Sequence, residues 1–108
     1  MALVWGKGGG VTGKVTEYVL MPNGQLSERD AFTRELKDVK TVGQAETLQF
    51  FRQMTSLPAS FHRPGNMYQY LKLEKEGTVQ KEAVWGEHRF TPPAEIEALH
   101  RQLQSLVL

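Results

Sequence analysis

The segment Met67–Trp85 constrains the fold most. From Met67 to Lys75 the residues alternate: Met67, Leu71 and Leu73 share one face, and Tyr68, Tyr70, Lys72 and Glu74 share the other. A period of two is the mark of a half-buried strand. Glu76-Gly77-Thr78 then supplies a tight turn into a second strand, Val79–Trp85, with Val79, Ala83 and Trp85 on one face. So short a connection joins antiparallel neighbours, since a parallel crossover needs a dozen residues or more. A chain containing this hairpin must build an antiparallel sheet and cover its apolar face.

The rest of the chain supplies further strands and the cover. Ala2–Lys7 and Lys14–Met21 are strand-like, although Glu17 interrupts the apolar positions Val15 and Val19. Pro22-Asn23-Gly24 marks a hairpin with the Asn-Gly preference of a type I′ turn. Residues 25–42 read as extended in parts. Gln44–Ser56 has helical spacing at Leu48, Phe51 and Met54, flanked by Phe50 and Leu57, and Pro58 stops it. A second helix follows Thr91, the expected N-cap, with Pro92 at its first position and Ile96, Leu99, Leu103 and Leu106 as its stripe. His100 falls at the edge of that stripe. Gly6–Gly13 and Pro58–Asn66 read as loops. The expected architecture is α+β: one domain over residues 1–108, with an antiparallel sheet of about four strands and two main helices on one face. At 108 residues the chain is long enough for one core and too short for two ordinary domains.

Composition excludes several kinds of chemistry. There is no cysteine, hence no disulfide framework, thiolate site or cysteine nucleophile. Thirteen basic residues against twelve acidic ones give no surplus for a polyanion. Tyr68, Tyr70 and Lys72 form a small stacking platform, but Glu74 shares their face, so nucleic acid is not an expected partner. Gly8-x-Gly10-x-x-Gly13 matches the spacing of a dinucleotide loop, yet a strand-like segment follows where a helix is required. Gly13-Lys14 lacks the Ser/Thr of a phosphate loop. His62, His88 and His100 have no metal-ligand spacing, and no serine sits in a nucleophile motif. Neither a cofactor nor a catalytic residue is expected. No signal peptide or membrane span is legible, and the cysteine-free composition fits the cytoplasm.

Three segments resemble the emfourin-type inhibitors of thermolysin-like metalloproteases. Gly9-Gly10-Val11-Thr12-Gly13 resembles the family's glycine turn after an opening strand, with Val11 where an aromatic is usual. Phe50-Phe51 resembles its paired helical aromatics. Pro64-Gly65-Asn66-Met67-Tyr68-Gln69-Tyr70-Leu71-Lys72-Leu73, the Gly77 turn and Pro92-Pro93 before the last helix complete the likeness. The resemblance implies a small α+β protein with a four-stranded antiparallel sheet, acting on a metalloprotease by docking loops. Gly9, Gly10, Val11, Thr12, Gly13, Pro64 and Asn66 are the expected partner-binding residues. The alternative is a small α+β domain without inhibitory activity, which binds a small ligand between sheet and helices at Tyr68, Tyr70, Trp85 and His100 or self-associates. Both monomer and homodimer fit the sequence, since exposed strand edges can pair two copies.

Overall fold

The computed structural model describes residues 1–9, 15–57 and 60–107. Its elements are β1 (Ala2–Gly9), β2 (Thr16–Leu20), β3 (Gln25–Asp30), β4 (Leu36–Thr41), α1 (Gln44–Ser56), β5 (Phe61–Arg63), β6 (Met67–Lys75), β7 (Thr78–Trp85) and α2 (Ala94–Ser105). The strands form one sheet in the order β4-β3-β2-β1-β6-β7-β5. All neighbours are antiparallel except β5 and β7, which run parallel.

The expected α+β class holds, but four antiparallel strands understate the sheet. Among the described residues there are seven strands, and the sheet is mixed. Both β3 and β4 come from residues 25–42, where polar residues hide the period. The strand β5 is three residues long, too short for any period to show, and it lies within the segment read as loop. The opening strand also runs further than expected, through Gly8 and Gly9, because Tyr68 and Met67 of β6 pair with them.

One face carries the main core. Leu3 and Trp5 of β1, Leu20, Leu26, Leu71, Leu73, Ala83 and Trp85 meet Phe50, Phe51 and Met54 of α1 and Ile96, Leu99 and Leu103 of α2. Helix α1 crosses the sheet at one end. Its first turn lies by the β2–β3 turn, where Val42 N–H donates to Gly24. Its last carbonyls lie by β7, where Lys81 Nζ donates to Met54, Thr55 and Leu57 at 3.2, 3.0 and 2.8 Å. The Leu57 N–H also donates to Met54 at 3.3 Å, and the lysine adds a positively charged donor to carbonyls at the negative end of the helix dipole.

Several local expectations change. Leu48 is exposed; the buried positions of α1 are Thr47, Phe50, Phe51 and Met54. Thr47 tolerates burial because its hydroxyl donates to the Gly43 carbonyl at 2.8 Å. Val79 does not share a face with Ala83 and Trp85. The register of β7 slips by one residue at Gln80, so Val79 pairs with Glu74. The β2–β3 turn is not type I′, since Asn23 keeps a negative φ. Gly24 N–H donates to Met21 at 2.9 Å and Gly24 alone has φ +93°, a type I turn followed by a glycine bulge. Pro93, not Thr91, precedes α2, and no side chain caps it. A residue before proline is disfavoured in helical geometry, so Pro93 keeps Pro92 out of the helix.

Candidate docking end of the sheet

The end of the sheet opposite α1 is built from chain reversals. Here β1 stops at Gly9, β3 turns into β4, β5 passes through Pro64–Asn66 into β6, and β7 leaves at Gly86. Gly9 pairs with Met67 and has φ +98°, and a Cβ on it would strike the Asn66 carbonyl. A Cβ on Gly65 would likewise strike the Gly86 carbonyl. These backbones touch because side chains are absent. Gly9, at the start of one segment singled out in the sequence, therefore lies against Asn66 of the other.

The Pro64–Asn66 loop is held from both sides. Glu87 N–H donates to the Arg63 carbonyl at 3.0 Å. The Arg63 guanidinium pairs with the Glu87 carboxylate and lies 5.0 Å from the Phe90 ring centre. That hydrogen bond raises the Arg63 pKa and lowers that of Glu87. Phe90 in turn packs on Phe61 at 5.2 Å. Pro64 and Asn66 remain exposed. Of the expected partner-binding residues, Gly9, Pro64 and Asn66 gather at this end. Gly10, Val11, Thr12 and Gly13 lie outside the described residues.

Three further residues stand here that sequence reasoning did not single out. Phe32, Leu36 and Met67 are 68%, 62% and 62% exposed, the highest values among the large apolar side chains described. Phe32 is held out by the β3–β4 turn, in which Asp30 Oδ1 accepts from the Phe32 and Thr33 amides at 2.8 and 3.0 Å. The available signal was Asp30 followed by an apolar residue in a polar stretch.

The sheet face without helices has its own chemistry. Arg29 Nε donates to Glu17 at 2.6 Å, its NH2 group reaches Glu74 at 3.3 Å, and the Tyr70 hydroxyl donates to Glu17 at 2.7 Å. All four side chains are buried. Burial, then the Glu17 hydrogen bond, pushes the Tyr70 hydroxyl far above the usual tyrosine range. Both Glu17 oxygens are engaged, so neither is a free general base. Glu17 between Val15 and Val19 was the visible sign of this cluster. Tyr70 is buried over Gly6, with Lys72 Nζ 4.9 Å from its ring centre, so it offers no open stacking surface.

The pocket expected from Tyr68, Tyr70, Trp85 and His100 does not form. Tyr70 lies on the open face, whereas Trp85 and His100 meet edge to face at 5.2 Å under α2. His100 is buried rather than peripheral; burial lowers its pKa, the Gly6 backbone raises it, and Lys7 lowers it. Ser60 Oγ accepts from the Glu82 amide at 3.0 Å, and His62 Nδ1 lies 3.3 Å from the Glu82 carboxylate. Among the described residues no cluster of three or more His, Asp or Glu could hold a metal, and no helix is long and apolar enough to cross a membrane. No protein-family model matches the chain, and no curated protein is significantly similar to it.

Proposed function

We propose that the chain is a small non-catalytic protein-binding module that docks through the end of its sheet. One observation carries this reading. The three most exposed large apolar residues described, Phe32, Leu36 and Met67, stand at the same end as Gly9, Pro64 and Asn66. Exposed apolar groups at one end of the sheet favour a partner that removes them from water. A loop braced by Arg63, Glu87 and Phe90 loses little conformational freedom on binding. The finer reading is inhibition of a thermolysin-like metalloprotease, which rests on the resemblance of residues 9–13, 50–51 and 64–73 to the emfourin-type inhibitors.

The test is a titration of the purified protein into a panel of thermolysin-like metalloproteases, following peptide cleavage. Saturable, stoichiometric loss of activity is the expected result. Undiminished cleavage across the panel would remove the inhibitor reading.

A further inference from the structure

Behind the docking end, α2 and the ends of β1, β6 and β7 enclose a cleft on the helix-covered face. Two cavities of about 310 and 350 Å³ share Lys7, Gln69, Trp85 and Glu97 as walls. His100, Arg101 and Gln104 complete the first, and Met67, Tyr68 and Gly86 the second. Volumes of this order suit a small ligand.

The polar lining favours an anion. Lys7 and Arg101 bring two positive charges against one negative charge on Glu97. Among the described ion pairs, none involves these three residues. The Gln69 amide has a fixed sense: its Oε1 accepts from Trp85 Nε1 at 3.0 Å, which leaves its NH2 group to donate. In the wall beside them the buried His100 has an Nε2 without a hydrogen-bond partner. A net excess of one positive charge matches a monoanion better than a phosphate, and the planar guanidinium of Arg101 matches a carboxylate. Trp85 and the exposed Met67 offer an apolar wall.

We propose that this cleft binds a small organic carboxylate, with the carboxylate between Lys7 and Arg101, the Gln69 amide donating to it, and the apolar body along Trp85 and Met67. This site shares Met67 with the docking end, but the Lys7 and Arg101 variants leave Phe32, Leu36 and Met67 unchanged, so either reading can fail alone.

The probe is 2-naphthoate, titrated into the full chain and followed by calorimetry and amide chemical shifts. Its uncharged counterpart is 2-naphthamide. Saturable one-to-one binding is expected, with shifts centred on Lys7, Gln69 and Arg101. Lys7→Gln and Arg101→Gln should each weaken it by about fivefold or more, as loss of a charge-assisted hydrogen bond requires. Glu97→Gln should tighten it, and 2-naphthamide should bind at least about tenfold more weakly. Lys7 and Arg101 are exposed, so these variants keep the core intact. The proposal is overturned by absence of saturable binding, by equal affinity for the amide, by indifference to both cation variants, by tighter binding of inorganic phosphate, or by shifts centred on Tyr70 and Lys72 of the open face.

Discussion

Arg29 is the residue on which the open face depends. It is the only cation hydrogen-bonded to Glu17 and Glu74 in the described network, and all three are buried. Removing one member of a buried ion pair strands the others without water or counter-charge. Arg29→Met should therefore destabilise the fold by about 3 kcal/mol or more, measured by urea unfolding. A change under about 1 kcal/mol, the value of an exposed pair, would mean that the cluster is solvated. His100 makes a different prediction. Its folded pKa lies below the ordinary 6.5. As pH falls through that ordinary value, the unfolded chain takes up a proton that the folded chain resists. Stability should thus be fully retained above about pH 6.5 and decline below it. His100→Gln should flatten this decline in urea midpoints between pH 7.5 and 5.5; an identical slope would clear His100 of the effect.

At the scale of elements, Lys81 joins α1 to β7. Its ammonium serves three carbonyls at the end of a helix that has no basic residue in its own last turn. Lys81→Met should cost about 1–2 kcal/mol, with hydrogen exchange accelerated in the last turn of α1. Unchanged exchange there would show that water caps the helix equally well. Strand β4 is an exposed edge, but Lys37 and Lys40 lie along it and its register shifts between the pairs at Asp38 and Lys40. Charges and a bulge discourage edge pairing. Lys37→Val with Lys40→Val should raise self-association in sedimentation, whereas the natural edge should not drive it. Elements with a strong period were legible: α1 and β6 have the bounds that their patterns gave. Strands β3 and β4 were legible only as extended stretches without bounds, and β5 not at all, because their pairing is decided by partners distant in sequence. The start of α2 was misread because two prolines compete to begin it.

At the scale of the whole molecule, α1 covers one end of the sheet and the chain reversals occupy the other. The sequence marked part of that second end, through Gly9, Pro64 and Asn66. It did not mark Phe32, Leu36 or Met67, since exposure is a property of the assembled sheet and not of a local pattern. The central claim is that this end meets a partner protein. It is tested most directly by titrating three proteins into a thermolysin-like metalloprotease: the natural chain, a Phe32→Asp/Met67→Asp variant, and Leu48→Asp, an exposed position on α1 at the opposite end. With thermal midpoints matched, the natural chain and Leu48→Asp should abolish cleavage at one-to-one stoichiometry. The double variant should lose at least about thirtyfold in affinity, the loss expected for central apolar contacts. Equal inhibition by all three, or by none, would contradict the account.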